Sequence, residues 1–76
     1  MSEQEQQYYR NLLDAGCSPK TADGYIALFH DGKNTELLRG LAVHRRRLLE
    51  KLHADQKQID CLDYLIFQIQ KNTGRI

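Results

Sequence analysis

The feature that most constrains this chain is a stretch of about 38 residues, from 35 to 72, that contains no proline. Apolar residues recur along it at spacings of three and four, the pattern of an α-helix with one buried face. A continuous helix of this length would extend about 57 Å. Two short helices of the same chain are too small to cover it. The sequence therefore predicts that a second long helix does so.

A heptad repeat runs through this stretch. With Leu38 at position a, eight of the ten residues at positions a and d are aliphatic over about five heptads, which is the criterion for a coiled coil. The predicted dimer interface consists of these ten residues: Leu38, Leu41, Arg45, Leu48, Leu52, Asp55, Ile59, Leu62, Ile66 and Ile69. The apolar face of the predicted helix is wider than a two-stranded coiled coil requires, and we expect the short helices to pack on the remaining apolar surface.

Two charged residues interrupt the repeat and indicate its orientation. Arg45 and Asp55 lie ten residues apart. In an antiparallel pair that crosses near residue 50, Arg45 of one chain would meet Asp55 of the other, whereas a parallel pair would bring like charges together. The alternative is that both side chains turn out to solvent. The first interpretation predicts an antiparallel homodimer.

Two shorter helices are predicted before the long one. The first covers residues 3–15, which end before Gly16, and the second covers residues 18–30, where Ser18 is a typical N-cap and Pro19 a typical first helical residue. Gly24 lies inside the second helix, and a close packing contact would explain it. No segment alternates apolar and polar residues as a strand does. The predicted fold is all-α: one domain over residues 1–76, with two short helices packed on a long helix over 35–72.

Size, charge and cysteine content narrow the function classes. A chain of 76 residues supports one small domain and usually needs a partner or another form of stabilisation. Two cysteines without metal-finger spacing indicate a reducing compartment, and no apolar run approaches a membrane span. We therefore expect a cytoplasmic protein without a membrane anchor.

No residue pattern typical of a catalytic, cofactor or metal site stands out. The possible metal ligands lack zinc-site spacing, and they are Cys17, Cys61, His30, His44 and His53. The basic cluster at residues 45–47 spreads over about 200° of a helix and has no stacking aromatics nearby. The sequence thus predicts no enzyme activity, no cofactor and no direct binding of nucleic acid.

The order of elements resembles the C-terminal part of MerR-type bacterial transcription regulators. The similarity covers residues 8–71 and rests on Gly16-Cys17-Ser18, on the segment 37–52 and on residues 62–66, Leu-Asp-Tyr-Leu-Ile. This resemblance implies a long helix that pairs antiparallel with its copy. The family's winged helix-turn-helix has no counterpart here, so the resemblance implies a dimerisation or effector part, either a fragment or a free-standing protein. Its expected partner is itself or another coiled-coil regulator.

A second resemblance is to small two-helix phosphatases that act on sporulation response regulators. It rests on Leu62-Asp63 followed by Leu65-Ile66. The family has Ser where this chain has Ile59, and it forms a hairpin where this chain has no Gly or Pro between residues 41 and 73. The alternative expected function is therefore a helical-hairpin phosphatase or a regulator of response-regulator signalling, beside the expected non-enzymatic protein–protein interaction module.

Overall fold

The fold of the chain consists of four α-helices. The structure, a computed structural model, describes residues 2–51 and 55–72. The helices are α1 (Glu3–Asp14), α2 (Pro19–His30), α3 (Asn34–Glu50) and α4 (Gln56–Asn72). No strand occurs in these two ranges, and the prediction of an all-α fold is confirmed.

Local capping signals position the first two helices. Ser2 caps α1 in a capping box: its hydroxyl accepts from the Glu5 backbone N–H, and the Glu5 carboxylate accepts from the Ser2 N–H. The Ser18 hydroxyl accepts from the backbone N–H of Thr21 and caps α2, which begins at Pro19. Gly16 joins the two helices with a φ of 93°, a left-handed conformation that favours glycine. The observed bounds differ by one residue from the predicted ranges of 3–15 and 18–30.

The predicted long helix is two helices. Helix α3 ends at Glu50, and Lys51 is extended with ψ of 144°. Asp55 then caps α4: its carboxylate accepts from the backbone N–H of Lys57 at 2.9 Å, and its carbonyl accepts from that of Ile59. Five residues separate α3 from α4, and the two helices pack side by side, so they run antiparallel. The prediction of one continuous helix over 35–72 is wrong, because the chain folds back and covers its own apolar face.

The helices form two layers. Helix α1 packs against α2 and α3 against α4, while α1 also contacts α4 and α2 contacts α3. The smallest dimension of the molecule, 17 Å, corresponds to two helix layers. Within the layer formed by α1 and α2, the rings of Tyr8 and Phe29 meet edge to face with centroids 5.0 Å apart.

Half of the predicted interface residues are buried inside the single chain. Five of the ten are at most 3% exposed: Leu41, Leu48, Ile59, Leu62 and Ile69. Leu38, Arg45 and Ile66 are half-buried and Asp55 is exposed, while Leu52 lies outside the described residues. The heptad residues thus form the core between α3, α4 and the short helices. The homodimer stays a prediction, without the continuous helix on which it was based.

The tight glycine lies in α3 rather than in α2. A Cβ at Gly24 would meet nothing within 4 Å, so the close contact predicted there is absent. At Gly40 a Cβ would lie 2.8 Å from Cε1 of Tyr25. The glycine that permits close helix packing is therefore Gly40, where α2 crosses α3.

Candidate interaction face

One side of the α3–α4 hairpin is covered by the first layer. On α3 this side carries Gly40, whose carbonyl accepts from the Tyr25 hydroxyl at 3.2 Å, and His44, whose Nε2 donates to the Ala15 carbonyl at 3.2 Å. On α4 it carries Gln58, whose side chain lies against Gly16. The contacts define the direction from which α1 and α2 pack on the hairpin.

The opposite side of the hairpin carries a mixed apolar and charged surface. On α3, residues 38, 42, 45 and 49 lie at spacings of four, three and four, so they form a stripe along that helix. On α4, residues 59, 63 and 66 lie at spacings of four and three and form a second stripe. The α3 stripe lies on the side of its helix opposite Gly40. On α4, Asp63 and Phe67 lie about 140° and 180° around the helix from Gln58, while Ile59 and Ile66 lie about 100° and 80° from it, on the flank of the helix. We call this surface the open face and define it by Leu38, Ala42, Arg45, Leu49, Asp63, Ile66 and Phe67.

The open face exposes large apolar side chains to solvent. Leu49 is 51% exposed and Phe67 is 58% exposed, while Leu38 and Ile66 are half-buried. Ile59, at the start of the α4 stripe, is buried. Leu13, Val43 and Tyr64 are exposed on other surfaces. Leu49 and Phe67 lie on the same side of the hairpin, one helical turn to either side of Arg45 and Asp63, and apolar groups with charged groups between them are a feature of interaction surfaces.

An ion pair crosses the middle of this face. The Arg45 guanidinium donates from Nε to one carboxylate oxygen of Asp63 at 2.6 Å and from Nη2 to the other at 3.4 Å. Both side chains are close to half exposed, 41% for Arg45 and 45% for Asp63. The hydrogen bond to Asp63 and its negative charge hold the pKa of Arg45 above its ordinary value. The pair links α3 to α4 and leaves both charges accessible from outside.

The edges of the open face carry opposite charges. Arg39 and Arg46 are exposed beside the stripe on α3, and Asp60 is exposed beside the stripe on α4. Arg39, Arg45 and Arg46 make the α3 half of the surface basic. Asp60 and Asp63 make the α4 half acidic. A partner that binds here meets the ion pair at the centre of the face, apolar side chains around it, and a charge gradient from the basic α3 to the acidic α4.

Cys17 and His44 come close together between the layers. The Cys17 Sγ lies 3.6 Å from Nε2 of His44, and burial raises the pKa of the Cys17 thiol above its ordinary value of 9.0. A nucleophilic cysteine needs a lowered pKa, so this arrangement favours a packing role. Within residues 2–51 and 55–72, no three His, Cys, Asp or Glu side chains are grouped to hold a metal ion. His53 lies outside those ranges.

The aromatic residues of the short helices enclose little space. Tyr8, Tyr25 and Phe29 line a cavity of about 10 Å³ between the layers. A cavity of this size holds at most one water molecule. The aromatic side chains therefore act as core packing rather than as a ligand site.

The ion pair at the centre of the open face was not predicted from the sequence. The heptad pattern predicted that Arg45 meets Asp55 of a second chain. In the structure Arg45 pairs with Asp63 of its own chain, and Asp55 caps α4. The available signal was Asp55 itself, because Asp is a strong N-cap and a weak residue for a helix interior.

Comparisons with known proteins place the chain in no family. No family model matches it, and searches of curated proteins and of solved structures find no match either. In the part of the chain that the structure describes, every helix is too short or too polar to cross a membrane.

Proposed function

We propose that this chain is a non-enzymatic protein–protein interaction module that binds its partner through the open face. The observation that supports this is the position of Leu49 and Phe67, both more than half exposed, on the side of the hairpin that no other helix of the described chain covers. A chain of this size leaves little stability to spare, and covering such a surface with a partner would add to it.

The resemblance to MerR-type regulators extends this proposal to transcription regulation. In that view the chain acts as an accessory dimerisation or effector part, and its partner is another helical regulator or itself. We place it in the cytoplasm, because Cys17 and Cys61 are both free thiols, which a reducing compartment preserves.

A site-specific crosslinking experiment tests the proposed surface. A photoreactive amino acid replaces Leu49 on the open face, and a matched control replaces Ala27, which is exposed on α2 in the other layer. After irradiation in the cells that produce the protein, we expect a covalent adduct from position 49 and none from position 27. Adducts from neither position, or equally from both, would contradict the proposal.

A second candidate function is action on a phosphorylated response regulator. The hairpin favours it, because the phosphatases that the sequence resembles are hairpins and α3–α4 forms one. Asp63 is exposed on α4, although the family's Ser position is occupied here by Ile59, which is 3% exposed.

An assay with a phosphorylated receiver domain tests this candidate. Loss of phosphate should accelerate with the natural chain and stop with Asp63→Asn. The control is Arg45→Gln, which removes the same ion pair but keeps the Asp63 carboxylate. If the natural chain leaves the phosphate lifetime unchanged, this candidate fails.

A further inference from the structure

We infer that the occupant of the open face is a second copy of this chain, which packs its own open face against the first and forms a four-helix arrangement of two hairpins. The inference rests on the proposed function and specifies its partner. It is carried by the distribution of charge on the face, by the height at which Arg45 and Asp63 lie, and by the sizes of the apolar residues around them.

A surface that binds its own copy must be complementary to itself under a two-fold rotation. Two faces stacked on one another can be related by a two-fold axis that lies between them and runs parallel to the helices. This rotation places α3 of one copy over α4 of the other. The basic half of each face then meets the acidic half of its counterpart.

The ion pair is the strongest part of this match. The charged groups of Arg45 and Asp63 lie at nearly the same height along the hairpin, since Nε and the carboxylate oxygen are 2.6 Å apart. A rotation about an axis parallel to the helices preserves height, so Arg45 of each copy comes to lie over Asp63 of the other. A guanidinium has five N–H groups, and Asp63 of its own chain uses two of them here. The four side chains can therefore close a ring of alternating charges at the axis.

The other stacked arrangement is unfavourable. An axis perpendicular to the helices would place α3 over α3 of the second copy. The basic half of each face would then meet the basic half of the other, with Arg45 over Arg45 when the axis lies at its height, and such like-charge contacts at an interface are unfavourable. Charge thus selects one of the two possible orientations.

The apolar residues fit the selected orientation. The antiparallel register set by Arg45 and Asp63 places Ala42 at the height of Ile66, because each lies three residues from a member of the pair. After the rotation, the small Ala42 of one copy lies over the turn of α4 that carries Ile66 and the exposed Phe67 of the other. The alternation of small and large side chains across the interface resembles the packing of helix bundles.

Charge exchange gives the decisive experiment. Arg45→Asp and Asp63→Arg are made separately, and molar mass is measured by light scattering across a dilution series. We expect the natural chain to give twice its 8.9 kDa mass and each single variant to dissociate, with Kd raised by about a hundredfold. An equimolar mixture of the two variants should restore the dimer, because each chain supplies the charge that the other lacks.

The mixture of the two variants distinguishes an ion pair that acts between two chains from one that acts only within its own chain. If the pair acts only within its own chain, mixing restores nothing, and that result overturns the inference. Should either charge variant lose its helicity, Leu49→Glu decides: a folded monomer supports the second copy, and a dimer overturns it. The matched control is Val43→Glu, since Val43 is 51% exposed on α3 outside the open face and should leave the dimer intact.

Molar mass and crosslinking from position 49, taken together, test the proposed interaction module separately from the second copy. A natural chain that remains a monomer throughout, yet forms an adduct with a different protein from position 49, overturns the second copy and retains the interaction module. A monomer that forms no adduct from that position overturns both.

Discussion

The Tyr25 hydroxyl donates a hydrogen bond to the carbonyl of Gly40, and the Tyr25 ring lies so close to Gly40 that a Cβ there would be 2.8 Å from Cε1. The contact brings α2 directly onto the backbone of α3. It also explains a glycine inside a helix, where Gly costs about 1 kcal/mol against Ala. The position of the first layer on the hairpin therefore depends on the absence of a side chain at residue 40.

We expect Gly40→Ala to lower the free energy of unfolding by about 1–2 kcal/mol, because the clash with Tyr25 outweighs the gain in helix propensity. Gly24→Ala is the matched control. Since a Cβ at Gly24 meets nothing within 4 Å, this substitution should raise the free energy of unfolding by up to about 1 kcal/mol. Urea denaturation measures both. An increase in stability for Gly40→Ala would contradict the close contact.

The pair of His30 and Glu5 predicts a dependence of stability on pH. Nδ1 of His30 lies 2.9 Å from a carboxylate oxygen of Glu5, and the hydrogen bond raises the pKa of His30 above 6.5 and lowers the pKa of Glu5 below 4.5. The contribution from His30 is fully present below 6.5 and is lost as pH rises through its raised pKa. The contribution from Glu5 is present above 4.5 and is lost as pH falls through its lowered pKa. The pair should stabilise the fold most between pH 4.5 and 6.5.

Urea midpoints across this range check the sign. The midpoint of the natural chain should fall as pH rises from 6 to 8, whereas that of His30→Gln should fall less, because Gln carries no charge to lose. A midpoint that changes with pH equally in both proteins would show that His30 does not titrate against Glu5. Glu5→Gln tests the acid side, although it also weakens the capping box that Glu5 forms with Ser2.

The two cysteines should differ in reactivity. Cys17 is 7% exposed, and burial raises the pKa of its thiol, whereas Cys61 is half-buried. Because the thiolate is the reactive form, we expect iodoacetamide at neutral pH to modify Cys61 several-fold faster than Cys17. Mass spectrometry of tryptic peptides follows both rates, and in urea they should converge. Faster modification of Cys17 in the folded protein would contradict its buried placement.

The bounds of α1 and α2 could be predicted because their signals are local. Ser18 and Pro19 mark the start of α2 within two adjacent residues, and Gly16 supplies the turn before them. Such signals act through neighbouring backbone groups, so they need no knowledge of the rest of the fold.

What covers each apolar face could not be predicted in the same way. A heptad pattern identifies which residues are buried, and Leu41, Leu48 and Leu62 are indeed buried. The pattern is the same whether the covering helix belongs to a second chain or to the same chain after a turn. The absence of Gly and Pro favoured a straight helix, yet an Asp can start a new helix without either. The partner of Arg45 depends on this topology, which is why its ion pair with Asp63 was missed.

The cap at Asp55 offers the sharpest test of the hairpin, because the two topologies predict opposite signs. In the hairpin Asp55 caps α4 through its bond to the Lys57 N–H, so Asp55→Ala should lower the free energy of unfolding by about 1 kcal/mol. In a continuous helix residue 55 would be interior, and the same change would raise stability by roughly 0.5 kcal/mol, because Ala has the higher helix propensity. Asp55→Asn is the control, since Asn caps as well as Asp. Urea denaturation of the three proteins decides: a stabilised Asp55→Ala variant would favour the continuous helix, while a loss confined to Asp55→Ala would show that the chain turns back before α4.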